Sequence, residues 1–386
     1  MTAAAAVDGI REIDPTGSIG VFSMESDPPY DRPPLSKGLW KGDPVDGVWR
    51  KAKADAPGFH LNNEIKEIIP KERRATDSQG NVFTYEKLLL ATGGTPRRLP
   101  FHDDQIIYYR TLADYRRLRG LTETGDRFAV IGGGFIGTEI AAALAMNGKK
   151  VTMIFPDQEI GDRIFPHDLA QYVSGVYKRK GVELVAGEKV IGSEARDNEP
   201  ALKTASGRRI LVDAVVAGIG IMPNIALAEA ADLATSDGII VDEFLRSSDR
   251  NIYAAGDVAV FYNPALEKRM RVEHEDNANS MGRAVGRNMA GMIEPYEHLP
   301  FFYSDMFELG YEAVGELDSR LEMFADWKRP NEEGAIYYLK GDRVRGVLLW
   351  NLWGQVEGAR RLIAAPGPFS RENLKGRLPA KDPSKG

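Results

Sequence analysis

The residues best suited to chemistry are a glycine-rich run, Gly132-Gly133-Gly134-Phe135-Ile136-Gly137, and an acid 25 positions beyond Gly132, Asp157. Glycines at 132, 134 and 137 fit the dinucleotide fingerprint G-x-G-x-x-G. The first permits a tight turn, the second lets the backbone approach a pyrophosphate, and the third lets helix and strand pack closely. A helix opening there would turn unpaired N–H groups and a partial positive charge toward the phosphates. A carboxylate at 157 would accept hydrogen bonds from ribose hydroxyls and repel a 2′-phosphate, which favours NAD. Arg163 lies close enough in sequence to accept that phosphate, so NADP stays open. The chain has no Cys, which excludes thiolate metal sites, cysteine nucleophiles, a disulfide scaffold and a redox-active dithiol. Its five His show no HExxH spacing, so no metal site is expected.

The surrounding pattern predicts the elements that position this run. An apolar strand over 128–131, a helix over 138–146 and a strand over 151–155 make a βαβ unit with the glycines at its turn. Further strands are predicted at 18–22, 85–91, 214–217, 239–241 and 252–255, with a helix over 281–292. The segment Pro28-Pro29-Tyr30-Asp31-Arg32-Pro33-Pro34-Leu35-Ser36-Lys37 is too proline-rich for an interior strand or helix. Past residue 300 the texture changes. Trp327, Trp350 and Trp353 lie there with β-like runs at 334–339 and 345–350, so 301–386 reads as a separate α+β domain. The stretch 371–386 is polar and is expected to be a mobile tail.

At 386 residues the chain has room for two or three domains. With 43% hydrophobic and 27% charged residues it can build cores, and wholesale disorder is excluded. A net charge of -6 argues against a general nucleic-acid binder, which needs a cationic surface to neutralise phosphates. No apolar run approaches the roughly 18 residues of a membrane-spanning helix. The N-terminus carries no charged-then-apolar signal pattern, and a cytoplasmic location is expected.

The start of the chain looks like the second half of another such unit. With Ala3 in the third-glycine position, where Ala is allowed, Glu25 follows 22 residues later, against 20 from Gly137 to Asp157. The turn Asp14-Pro15-Thr16-Gly17 accommodates the excess. On this alignment a first strand and two glycines would lie upstream of Met1, and the sheet would lack its central strand. The alternative is an Ala-rich helix with no nucleotide role.

Taken together, the sequence resembles the two-dinucleotide flavoprotein reductases. The resemblance is carried by Pro29-Tyr30-x-Arg32-Pro33-Pro34-Leu35-Ser36-Lys37, Ala91-Thr92-Gly93, the Gly132 fingerprint and Ala255-Gly256-Asp257. Val272-Glu273-His274-Glu275-Asp276, Phe302-Tyr303-Ser304-Asp305 and Gly310-Tyr311-Glu312-Ala313 resemble apoptosis-inducing factor and its bacterial relatives more narrowly. The implied α/β fold has two Rossmann-like domains, the first incomplete: an FAD-binding domain over 1–113 and 243–300 and an NAD(P)H-binding domain over 114–242. A C-terminal α+β domain over 301–386 completes it.

The resemblance also implies roles. Ala3 would lie on the FAD fingerprint helix, Glu25 would bind the adenosine ribose, and Ile65 would meet the adenine through its backbone. Thr92, Gly93 and Arg110 would reach the pyrophosphate region, and Gly256 and Asp257 the ribityl chain. Arg32 and Lys37 would face the FAD, and His274 and Glu275 would lie against the flavin. Lys37, paired to Glu139, and His274 form the implied catalytic set. For NADH, Gly132, Gly134 and Gly137 would cradle the phosphates and Phe135 would stack near the nicotinamide. Asp157 and Arg163 would hold the adenosine end, while Gly220, Glu273 and Glu312 would close the site. Tyr303 stands where the family has Trp.

The implied reaction is hydride transfer from NAD(P)H to flavin N5, then release of electrons to an acceptor. Without Cys, the acceptor is a quinone, a dye, oxygen or a small electron carrier. Three alternatives accompany this reading: a ferredoxin or rubredoxin reductase serving an oxygenase, an NADH-sensing protein that dimerises on binding nicotinamide, and a remnant that has lost FAD with its pyrophosphate turn.

Overall fold

The computed structural model describes residues 1–50, 58–101, 103–196 and 199–378. Its contacts divide into two compact units, between which the chain passes repeatedly. One comprises 1–32, 45–95 and 222–301; the other comprises 33–44, 96–221 and 302–386. The proline-rich segment is thus split at Arg32, and its 33–44 part folds with the second unit.

The second unit holds the predicted βαβ motif. Its five parallel strands run in the order Glu183–Ala186, Lys150–Phe155, Arg127–Ile131, Ala214–Ala217, Ile106–Tyr108. The central strand pairs Ala129 with Thr152 on one side and with Val215 on the other. Parallel strands covered on both faces must be apolar throughout, and Phe128, Ala129, Val130 and Ile131 are all buried. Ala129, Ile131, Ile154, Val185, Val215 and Ala217 share one core. The fingerprint helix starts earlier than predicted, at Phe135, because Gly134 already acts as its N-cap. The C-terminal part is a five-stranded antiparallel sheet, ordered Phe301–Met306, Leu309–Gly315, Arg343–Trp350, Glu333–Lys340, Glu322–Arg329, with the helix Val356–Ala364 packed on it. The first part of the expected tail is ordered instead: Ser370 caps the short helix Arg371–Leu374. The remainder of that expectation, 379–386, lies outside the described residues.

In the first unit, Gly20–Phe22 pairs in parallel with Gly58–His60, and Leu88–Leu90 pairs in parallel with Ile252–Ala254. Each is a two-stranded sheet among the described residues. The strand predicted over 85–91 is shorter because the Tyr85 N–H turns to the Arg73 carbonyl, and only from Leu88 does the chain follow its parallel neighbour. The opening helix extends from Thr2 to Ile13. The helix predicted over 281–292 instead spans Glu275–Met289: His274 caps its start, and Gly291 at φ +108 follows its end. These two helices pack through glycines. A Cβ on Gly286 would stand 2.1 Å from the Ala6 carbonyl oxygen, and one on Gly9 would stand 2.1 Å from that of Arg283.

Among the described residues no helix is long and apolar enough to cross a membrane.

Candidate active site

In the second unit the three fingerprint glycines occupy three different environments. Gly132 has φ +113, and a Cβ there would strike the Gly218 carbonyl oxygen at 2.3 Å. A Cβ on Gly137 would strike the Gly132 carbonyl oxygen at 2.0 Å. At Gly134 nothing lies within 4 Å of the added atom. The first and third are therefore needed by the protein's own packing, and the second faces open space at a helix N-terminus. That is the arrangement a pyrophosphate requires. Just beyond, Phe135 is 36% exposed, and its ring meets Phe302 edge-on at 5.2 Å. An aromatic face left in water beside a phosphate cradle can take a flat heterocycle. The Asp157 carboxylate accepts from Arg163 Nε at 3.0 Å in the turn after the next strand. Gly220 has φ +88 and its carbonyl accepts the Arg97 N–H, while Glu312 accepts the Gly354 N–H at 3.1 Å. Arg110 precedes the helix Leu112–Thr124, its backbone N–H held by Asp114.

The same unit contains a buried ionic cluster. The Glu139 carboxylate is 2% exposed. Lys37 Nζ donates to its Oε2 at 2.8 Å, as the resemblance implied. The Ser36 hydroxyl donates to the same oxygen at 2.5 Å, and the Ser304 hydroxyl donates to Oε1 at 2.6 Å. Three donors leave the buried carboxylate well satisfied. Tyr303 presents its ring to Lys37 Nζ, 5.1 Å from the centroid. Neither serine was assigned a role from sequence. Both lie inside the quoted motifs, but nothing in the spacing joins positions so far apart.

In the first unit the start of the opening helix, which carries Ala3, lies against Gly256. At φ +76, a Cβ on Gly256 would stand 2.3 Å from Thr2 Oγ1. Gly256 is followed by Asp257, whose carbonyl accepts from Arg271 Nη1 at 3.0 Å. Glu25, at the end of the Gly20–Phe22 strand, accepts from Arg32 at 2.5 Å and from the Tyr30 hydroxyl at 2.6 Å. Burial alone would raise its carboxyl, but Arg32 and Tyr30 outweigh it and hold Glu25 below the usual carboxylate range. Arg50, missed in the sequence, ties Asp31 at 2.7 Å to Asn279 at 2.5 Å. Ile65 opens the strand Ile65–Ile69. Thr92 and Gly93, the latter at φ +62, are fastened to Asn224 by three hydrogen bonds. Glu273 is held by Arg271 at 2.7 Å. His274 caps the helix that Glu275 opens; desolvation lowers its pKa to about 4, against the opposing pull of Asp257 and Asp276. Its imidazole is therefore neutral at pH 7.

These residues fit the two implied nucleotides: a positive-φ glycine beside a helix start in each unit, each accompanied by a carboxylate after a strand. Among the described residues no His/Asp/Glu cluster could hold a metal.

Comparisons with known proteins agree. A pyridine nucleotide-disulphide oxidoreductase pattern matches residues 3–282, and the C-terminal pattern of mitochondrion-associated apoptosis-inducing factor matches 285–335. The chain is 32% identical to the mitochondrial apoptosis-inducing factor 1 of Dictyostelium discoideum, over 93% of this chain and 75% of that one. It is also 32% identical to the ferredoxin–NAD(+) reductase component of the anthranilate 1,2-dioxygenase system of Burkholderia cepacia, over 93% and 90% of the two chains. Among solved structures, the putidaredoxin reductase–putidaredoxin complex superimposes with a TM-score of 0.90 at 27% identity, covering 99% of this chain and 94% of that one. The ferredoxin reductase of the CYP199A2 system from Rhodopseudomonas palustris gives 0.89 at 26% identity, covering 100% and 96%. The chain belongs to the pyridine nucleotide-disulphide oxidoreductase family and is an FAD-dependent NAD(P)H oxidoreductase with a C-terminal domain of the apoptosis-inducing factor type.

Proposed function

We propose that this enzyme takes hydride from NADH and delivers electrons singly to a small iron–sulfur carrier protein. The observation that carries this reading is the absence of Cys in a family named for disulfides. A disulfide substrate needs a thiol relay, and this chain has none. Relatives that serve carriers, such as the Burkholderia component and putidaredoxin reductase, support a protein acceptor. Bound FAD supplies the chemistry, accepting a hydride from NADH and releasing electrons one at a time. Hydride transfer needs alignment and exclusion of water rather than a protein base.

In this reading the residues bind and orient. Gly132, Gly134 and Gly137 seat the NADH pyrophosphate, and Asp157 with Arg163 holds its adenosine end. Phe135 carries the nicotinamide, with Gly220, Glu312 and Tyr303 of the same unit; the resemblance assigns Glu273 to NADH as well. The start of the helix bearing Ala3, with Glu25, Arg32, Ile65, Thr92, Gly93, Gly256 and Asp257, holds FAD, and the resemblance assigns Arg110 to FAD as well. The resemblance assigns neutral His274 and Glu275 of the first unit to the flavin, and likewise the Lys37–Glu139 pair of the second. The domain limits 1–113 with 243–300, 114–242 and 301–386 belong to the same proposal, as do a cytoplasmic location and an NADH-dependent homodimer.

The test is an anaerobic titration of the FAD-loaded protein with NADH, followed by addition of cytochrome c with and without a ferredoxin. Loss of flavin colour, and fast cytochrome reduction only when the ferredoxin is present, are expected. A quinone reduced at the same rate without any carrier overturns the carrier assignment. A second reading, NADH sensing, rests on the apoptosis-inducing factor match over 285–335. It predicts a slowly reoxidised flavin and a dimer that forms only with NADH.

A further inference from the structure

The buried carboxylate of Glu139 gathers three segments of the second unit. Ser36 and Lys37 come from the proline-rich segment, Glu139 from the fingerprint helix Phe135–Met146, and Ser304 from the strand Phe301–Met306. That strand lies at the edge of its sheet. Side chains two apart on a strand share a face, and side chains four apart on a helix share a face. Phe302 and Ser304 meet Phe135 and Glu139 in that register, ring on ring at 5.2 Å and hydroxyl on carboxylate at 2.6 Å. One strand face therefore supports both the exposed Phe135 ring and the partner of Lys37.

The donors divide unequally. Oε2 receives Ser36 and Lys37, while Ser304 donates to Oε1. Ser304 is fully buried, so water does not reach it to replace the hydroxyl. Its single O–H points at Glu139. Without that hydroxyl only Oε2 keeps its donors, and the orientation of the carboxylate relative to Lys37 is less tightly set.

We infer that Ser304 is a positioning residue: by occupying one oxygen of Glu139 it commits the other to Lys37 and so fixes where the ammonium sits. The consequence for catalysis rests on the reading above, in which Lys37 meets the flavin; the positioning itself does not.

The experiment compares the full-length protein with Ser304→Ala, Ser304→Cys, Ser304→Thr, Glu139→Gln and the Ser304→Ala/Glu139→Gln double variant. In the first arm, FAD-free protein is labelled with acetic anhydride and the Lys37 amine is followed by mass spectrometry. Lys37 keeps 13% of its side chain exposed, enough for slow reaction. Ser304→Ala should label Lys37 several-fold faster than wild type, and Thr should restore the wild-type rate. Cys, nearly isosteric but a weaker donor, should fall between and decides the matter if the Ala variant does not fold. The double variant should label as fast as Glu139→Gln alone, because Ser304 acts only through that carboxylate. In the second arm the same non-additivity should appear in the midpoint potential of bound FAD. Wild-type labelling in Ser304→Ala or Ser304→Cys, or independent effects of the two substitutions, overturns the inference. Should wild-type flavin stay oxidised under NADH, the oxidoreductase reading fails, while the labelling arm still reports on Ser304.

Discussion

Asp157 and Arg163 form an ion pair 3.0 Å apart at the predicted adenosine end, with Arg163 largely in solvent. The carboxylate keeps the arginine occupied, and in the proposed site it would also offer acceptors to ribose hydroxyls. Asp157→Asn should raise KM for NADH about tenfold, roughly 1.4 kcal/mol, with kcat nearly unchanged, since this is ground-state binding. Steady-state kinetics with both nucleotides check it, and the freed arginine should narrow the preference for NADH over NADPH. An unchanged KM would remove Asp157 from the site. His274 yields a pH prediction. Its folded pKa of about 4 lies below the 6.5 of an unfolded chain, so the unfolded state binds the proton more readily. Stability is then complete above 6.5 and declines as pH falls toward 4. The difference amounts to at most about 3 kcal/mol, reduced because His274 keeps some solvent contact. Urea unfolding between pH 7 and 4 should show a shallower decline in His274→Gln; parallel curves would contradict this. At this scale the fingerprint glycines and Asp157 were legible because their spacing encodes a turn. Arg50, Ser36 and Ser304 were not, because their partners Asn279 and Glu139 are brought near only by the finished fold.

Among the elements, the βαβ unit was read nearly in register because its strands are uninterrupted apolar runs and its helix follows a turn that only glycine can make. The helix Glu275–Met289 was misplaced for an equally physical reason. Its first turn is polar, Glu275-Asp276-Asn277, and its buried face carries Asn277, Gly282 and Gly286 beside Met281 and Val285, so the large apolar residues begin only at Met281. Those glycines let the opening helix approach backbone to backbone, and a methyl group there has nowhere to go. Gly286→Ala should cost about 2–3 kcal/mol in chemical denaturation. Gly120→Ala makes the contrast. Gly120 lies in the helix Leu112–Thr124 with nothing within 4 Å of an added Cβ, and the substitution should be neutral or stabilising by about 0.5–1 kcal/mol. A tolerated Gly286→Ala would show that the two helices are less tightly apposed than described.

For the whole molecule, composition indicated several domains and the change of texture near residue 300 marked the C-terminal sheet, which begins at Phe301. What composition could not reveal is the path of the chain. The unit carrying Gly256 is assembled from 1–32, 45–95 and 222–301, and the unit carrying the fingerprint from 33–44, 96–221 and 302–386. Such stitching depends on long-range contacts that leave no local mark on hydropathy. It has a bearing on biosynthesis. By the time residue 221 leaves the ribosome, every strand of the Arg127–Ile131 sheet has been made, whereas Leu88–Leu90 still waits for Ile252–Ala254 and the opening helix for its glycine-bearing companion. Residues 1–32 and 45–95 of the nascent chain must therefore linger with apolar surface uncovered while the strands of the other module are completed ahead of them, and during that delay they are open to chaperones and to misassembly.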